Sequence, residues 1–392
     1  MPLPLRYTLG NLAVRRTRTL LTVSVIALVV LATSLFSGLA SSLERTLVAS
    51  GSERNLIVLR KGATNDGSSA LSLEAYQVIR FFDGVARDER GDPVVSPELV
   101  VQPFFRTRNG GRENVLVRGV EPVALQVHDD VVLSAGRFFH PSSGEAIVGR
   151  GVAGRYHGAA IGDELEFGRG TWKVVGIFES GGSSFESEVW VDVRELARDA
   201  KRPLPYSGLR IRVAAGEDPD ALARRIGDDP RFTLEARPEP EYYAEQADSA
   251  RILRVLVLGL ALLAGVGAVF GATNTVYASV QARTAEIGTL RALGFSRRAI
   301  LGAFLLESLL VAGGGFLCGA ALAVVLGGVL TRWLGGVAFA AVTFTTSVIQ
   351  LRVGGTDLLF ALGLALVVGL LGGLFPALRA ARLRPVEALR RA

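Results

Sequence analysis

The sequence predicts an α-helical membrane protein of four transmembrane helices with one large extracytoplasmic α+β domain between the first and second. Three observations predict it. The chain of 392 residues is 49% hydrophobic and yet 20% charged, with a mean hydropathy of +0.36. That is too apolar for a soluble domain and too charged for a bare bundle. Its apolar residues gather in four runs, each near the ~20 residues that cross a bilayer. Most of its prolines and acidic residues fall in one stretch, 41–249, between the first two runs.

Leu3 to Arg18 is basic and suits an interfacial, amphipathic entry helix carrying Arg6, Arg15, Arg16 and Arg18. Leu20 to Leu39 is the first span. A cleaved signal peptide is the alternative, since a basic start precedes the run and SGLASS follows it; the length of both favours a retained span. Leu43 to Ala49 continues it as a helical stalk, closing the first region, 1–49. The domain then occupies 50–245. NLIVLR (55–60) reads as a strand, GATNDGSS (62–69) as a flexible loop, and LSLEAYQVIRFF (71–82) as a helix with Leu73, Val78, Ile79 and Phe82 on one face. VVSPELVVQPFFRT (94–107) is strand material broken by prolines, and NVLVRGV (114–120) alternates like a strand. From Asp129 to Asp192 short strands and turns are dense. LRIRVAA, DPDALARRIGDD and FTLEA (209–236) then give strand, helix and strand. Residues 246–280 hold a helical approach and the second span, 300–331 the third, 332–356 a short outer loop with strand-like VTFTTSVIQL, and 357–376 the fourth. A tail, 377–392, ends the chain.

Arginine placement sets the orientation. Lys61, Lys173 and Lys201 are the only lysines. Arg283, Arg291, Arg297 and Arg298 lie between the second and third spans, and Arg379, Arg382, Arg384, Arg390 and Arg391 follow the fourth. The outer loop holds Arg332 and Arg352. Positive-inside bias puts both termini and the 281–299 stretch in the cytoplasm and the large domain outside. The net charge of +6 therefore speaks for topology and not for nucleic acid.

Several chemistries are excluded or reduced. The dipeptide Gly-Lys is absent, so the chain carries no P-loop and ATP-driven work needs another subunit. Gly149, Gly151 and Gly154 form a G-x-G-x-x-G, but RYHGAAIGDELEF follows it, which turns quickly into a β element, so a tight turn fits better than a dinucleotide site. His128, His140 and His157 lack ligand spacing, and Cys318 is the single cysteine, so neither a metal site nor an intrachain disulfide is expected. No Gly-x-Ser-x-Gly elbow occurs. Ser183, Ser184 and Phe185, beside a glycine pair, suit a mobile hairpin tip that touches a partner or substrate. Glu307 lies a short way into the third span, where an acid is costly; pairing with a nearby arginine at the inner surface explains it. Gly267/Gly271, Gly315/Gly319 and Gly369/Gly373 permit close helix packing, within the chain or with a second copy.

The most informative stretch is QARTAEIGTLRALGFSRRA (281–299). Ile287, Leu290 and Leu293 share one side of a helix flanked by Arg283, Glu286 and Arg291. Gly294 stands where that helix would end, and Ser296 where the next would be capped. An ordinary connecting loop is the plainer alternative. EIGTLRALGFSRRAI resembles the cytoplasmic coupling segment of MacB/FtsX-type (type VII, mechanotransmission) ABC transporter permeases. PALRAARLRPVEAL resembles the family's terminal signature, in which a proline leaves the last span. GRFF, EAIVG, IGDELEF, WKVVGIF and EVWVD (136–192) resemble the recurring elements of the MacB-type outer domain; the segments at 88–93 and 181–184 do not align.

The resemblance implies a βαβ subdomain with a mostly β insert, at about 120–205. It implies a permease subunit of the bacterial inner membrane that passes the motion of a separate cytoplasmic ABC ATPase to the outer domain. ATP and Mg would sit on that partner, and no cofactor on this chain. Arg283, Glu286, Ile287, Leu290, Arg291, Leu293 and Gly294 would dock the ATPase. A second permease copy, identical or paralogous, and a periplasmic adaptor or outer-side substrate protein complete the implied partners. The cargo would be a lipoprotein, lipid, peptide or drug-like molecule. The alternatives are an FtsX-like signalling subunit that regulates a cell-wall hydrolase, and a membrane-anchored enzyme or receptor without an ATPase.

Overall fold

The computed structural model describes residues 16–246, 248–334, 337–340 and 346–383. Most of the expected entry helix and the tail from residue 384 lie outside them. The chain divides into two compact units: one of helices (1–41, 252–329, 351–392) and one α+β domain (42–251, 330–350).

In chain order the elements are α1 (Arg16–Val48), β1 (Asn55–Arg60), α2 (Leu73–Ile79), β2 (Val95–Val101), β3 (Phe104–Arg106), β4 (Arg112–Asn114), β5 (Leu116–Val120), β6 (Val132–Gly136), β7 (Glu145–Gly149), β8 (Glu164–Phe167), β9 (Gly170–Glu179), β10 (Glu188–Asp192), α3 (Val193–Asp199), β11 (Gly208–Arg212), α4 (Pro219–Gly227), β12 (Leu234–Pro238), α5 (Glu239–Gln246), α6 (Asp248–Ala282), α7 (Thr284–Ala292), α8 (Arg297–Leu334), β13 (Val337–Ala340), β14 (Thr346–Ile349) and α9 (Gly355–Arg382), with single helical turns between some of them. α1, α6, α8 and α9 are each long and apolar enough to cross a membrane.

The domain is built on one sheet, ordered β12-β1-β11-β2-β5-β10-β7-β9-β6, with β8 on β9. β1 is antiparallel to both β11 and β12, and β11 to β2. Hence β1-α2-β2 and β11-α4-β12 are two split β-α-β units, each holding a strand of the other between its own pair. The inserted stretch leaves after β2, near residue 102 and not 120, and its strand β5 pairs with β2. The insert therefore extends the same sheet and does not form a separate layer. Both faces are covered, which is why β1 is buried from Asn55 through Leu59 and shows no polar alternation. Leu56, Val58, Leu99, Val117, Val189 and Leu209 face α2, α3 and α4, while Ile57, Ile147 and Trp190 face Phe185 and the α5 residues Tyr242 and Tyr243. In α2 the buried residues are Ala75, Tyr76 and Ile79. Leu73 is exposed, so the expected apolar face is rotated. The 62–69 segment is no flexible loop. Asn65 caps a 3-10 turn over Asp66–Ser68, and Asp66 forms an ion pair with Arg210 at 2.9 Å.

In the helical unit, α8 meets α1 where Gly315 and Gly319 face Ile26, Ala27 and Val30. A Cβ on Gly319 would stand 2.4 Å from the Ala27 carbonyl oxygen. Gly369 and Gly373 likewise admit Ala312 and Ser308 of α8, and Gly372 admits Ala272 of α6. Gly267 and Gly271 face open space instead. The fourth span does not end at its proline. α9 runs through Pro376 to Arg382. Pro376 lacks the N–H that would bond Gly372, but it is buried with Ala377 and Ala380, and that packing carries the helix past it. The connection between the third and fourth spans carries a hairpin, β13 against β14.

Candidate functional site

The 281–299 stretch folds as a separate short helix between two spans. Arg283, at φ −115 and ψ 15, breaks α6 from α7. Gly294 adopts φ +93, and the chain closes on itself there. The Gly294 N–H donates to the Arg291 carbonyl and the Phe295 N–H to the Leu290 carbonyl, both at 3.2 Å. That pair is a Schellman stop, which only glycine enters without steric cost. Ser296 Oγ then accepts the Ala299 N–H at 3.2 Å and caps α8. Both punctuation residues act as their sequence positions suggest.

The seven residues expected to face a partner do not share one face. Ile287 is buried among Val280, Ile300, Phe304, Ala377 and Ala380. Arg283 is buried too, donating from Nη1 to Glu307 Oε2 at 2.9 Å, with its guanidinium over the Phe304 ring. Arg283 and Ile287 are four residues apart, so they form one inward stripe. They anchor α7 inside its own unit and are corrected from contact residues to anchors. Glu307 has the arginine partner its position calls for. Glu286, Leu293 and Gly294 are exposed, Leu290 and Arg291 half-buried, and Leu293 is 73% accessible. Arg291 Nη1 donates to the Phe295 carbonyl at 3.0 Å. Glu286, Leu290 and Leu293, at i, i+4 and i+7, form the outward stripe.

Residues 19–229, more than half of the chain, match the MacB-like periplasmic core domain, and residues 258–385 match the FtsX-like permease C-terminal domain. The chain belongs to the MacB/FtsX-type permease family. As a member it is a permease component of ABC-transporter type and a multi-pass protein of the inner membrane. The macrolide export ATP-binding/permease protein MacB of Bdellovibrio bacteriovorus is 26% identical over 93% of this chain and 57% of its own length. The pyoverdine export ATP-binding/permease protein PvdT of Pseudomonas putida is 31% identical over 58% of this chain and 35% of its own. The chain thus spans about half or less of the relatives it matches. The crystal structure of the periplasmic region of MacB from Actinobacillus actinomycetemcomitans aligns over 49% of this chain and 92% of that one, at 8% identity and a TM-score of 0.38.

In this permease the second predicted site is not a tip. Ser183 and Phe185 are buried and Ser184 half-buried, so the three are corrected from a contact loop to packed core. Glu186 Oε1 accepts the backbone N–H groups of Ser180 and Gly182, which folds the loop over, and the Phe185 ring drops beneath it. The glycine pair at 181–182 suggested mobility; the large apolar residue three positions on was the contrary signal.

Two polar clusters escaped the sequence reading. On the Phe185 side of the sheet, Arg118 bonds Glu188 through Nε and Nη2 at 2.7 and 2.6 Å and Glu98 through Nη1 at 2.8 Å. Glu98 also meets His128 Nε2 at 2.8 Å. Arg210 faces Asp66 and Glu239, and Asn55 Nδ2 donates to Glu239 at 3.0 Å. Burial pushes the Glu98 carboxyl up, but His128, Arg118 and Arg210 outweigh it and hold the group far below the usual carboxylate range. Alternate residues on β2, β5, β10 and β11 supply this cluster, so it becomes visible only once the register is known. In the helical unit, Asp357 is buried and its Oδ1 accepts from Ser37 Oγ at 2.7 Å and Ser41 Oγ at 2.8 Å. The signal was a serine pair four apart in the first span and an acid at the head of the fourth.

Proposed function

We propose that this permease transmits ATP-driven motion from a cytoplasmic ABC ATPase to its α+β domain, which faces the periplasm while both termini lie in the cytoplasm. The observation that carries the reading is the build of α7. It is stopped at Gly294, anchored inward by Ile287 and the Arg283–Glu307 pair, and joined through two short breaks to spans on either side. Such a helix moves as a lever rather than a loop, and its outward Glu286, Leu290 and Leu293 offer a partner a charged and apolar stripe. The two relatives are named for export of macrolides and of pyoverdine. That supports export or extraction of a lipoprotein, lipid, peptide or drug-like molecule, with ATP and Mg on the ATPase.

Purification from the native host in mild detergent, followed by mass spectrometry, tests this. An ABC-type ATPase is expected in stoichiometric amount and lost on Leu293→Asp or Glu286→Arg. Its absence from an intact preparation contradicts the reading.

A further inference from the structure

Residues 180–187 join β9 to β10, two strands at the heart of the insert. Three other parts of the same unit converge on them. The first is the turn just past α1, where Ser50 Oγ accepts the Ser184 N–H at 2.9 Å and lies 2.8 Å from Ser184 Oγ. The second is α5, the segment leading into the second span, whose Tyr243 ring stands edge-on to Phe185 at 6.4 Å. The third is β14, from the connection between the third and fourth spans, which lies alongside the Ser184–Ser187 turn. Each arrives from a chain segment continuous with a different span.

The loop can pass a push onward. Phe185 is 1% exposed. Its ring stands 4.7 Å from His128 and 6.0 Å from Trp190, and the Arg118 guanidinium lies 5.4 Å from it, so it touches the buried charge cluster directly. Gly149 at the end of β7 is pressed against the Glu186 backbone, where a Cβ would stand 2.3 Å from the carbonyl oxygen. Interiors packed this closely transmit strain rather than absorb it. Beside this knuckle, Gly181 and Gly182 have left-handed backbones, and the Gly182 N–H bond to Glu186 Oε1 at 2.9 Å ties that turn to the residue next to Phe185.

We propose that the 180–187 segment is the joint through which the spans act on the α+β domain, with Phe185 and Ser50 as its positioning residues. This rests on the transmission reading above. The joint takes its input from the turn after α1 at Ser50, from α5 at Tyr243 and from β14, and delivers it to β7, β9 and β10. The seam of a domain that must change posture lies here, rather than at the 62–69 segment or at α4.

The test uses the full chain with its ATPase in nanodiscs, on a Cys318→Ser background. Spin labels at the exposed positions Arg90→Cys and Thr356→Cys report the posture of the domain with and without ATP. The unsubstituted protein is expected to show an ATP-dependent shift in the distance distribution. Phe185→Ala and Ser50→Ala lose that shift while the ATPase co-purifies at wild-type stoichiometry. Leu222→Ala, which opens the core on the opposite face of the sheet, keeps it, so lost stability alone does not account for the loss. If Phe185→Ala does not fold, Ser50→Ala decides, because it removes one hydroxyl. A full shift in the folded joint variants overturns the joint and leaves transmission standing. No shift in the unsubstituted protein overturns transmission, and the joint with it.

Discussion

The α+β domain fills its core with Trp190, Phe178 and Tyr156 and seals Arg118 and Arg210 among four carboxylates, whereas the spans meet across Gly315, Gly319, Gly369 and Ala312. The difference follows from the solvent each unit faces. In water, removing large apolar side chains from solvent drives folding, and a buried charge survives only when its partners are all present. In lipid, leucine gains nothing by leaving the surface, so helices associate by close approach over small residues. Leu263, Phe270 and Phe375 accordingly stay exposed.

The largest test of that contrast is Arg118→Met. It strands Glu98 and Glu188 in the core and should cost about 3–5 kcal/mol, read as a lower urea midpoint of tryptophan fluorescence in the full chain. Exchanging both charges, Arg118→Met with Glu188→Leu, should recover part of the loss. In the helical unit the largest effect should come from size. Gly319→Leu drives a side chain into α1 and should cost about 1–3 kcal/mol, seen as a lower melting temperature in detergent. Gly271→Leu, facing open space, should leave it unchanged, and equal losses at the two sites would break the comparison. The Arg283–Glu307 pair brings the other unit's device into the helical unit. Arg283→Met should cost about 1–3 kcal/mol by leaving Glu307 without its donor, with faster amide exchange across 284–292.

The smallest effect is at the surface. Arg137 bonds hold Glu145 down to about 2, from 4.5. A depressed carboxyl contributes stability that is present above its unfolded value and lost as pH falls through the folded one. The contribution should therefore disappear between pH about 4.5 and about 2, and Glu145→Gln should flatten stability in that window. Solvent screening keeps it small.

How much of this was legible in the sequence follows the same division. The spans show as runs of one composition, and the stop at Gly294 with the cap at Ser296 shows because such signals are local. β1, β11 and α4 were visible for the same reason. The continuous sheet was not, because pairing β5 with β2 is a long-range choice that no local pattern encodes. At α7 the stretch identified the helix but not its inward stripe: Arg283 and Ile287 look as suited to a partner as Glu286 and Leu293 until Glu307, more than twenty residues away, claims the arginine. Phe185 misled in the opposite way, since the glycines beside it suggest exposure.

The measurement that bears most directly on the account is site-specific photocrosslinking along α7 in native membranes. A photoreactive residue at Leu293 or Glu286 should trap an ABC ATPase, and one at Ile287 should not. Crosslinking at Ile287 as strong as at Leu293, or none at any of the three positions, would contradict the claim that the outward stripe of α7 receives the stroke.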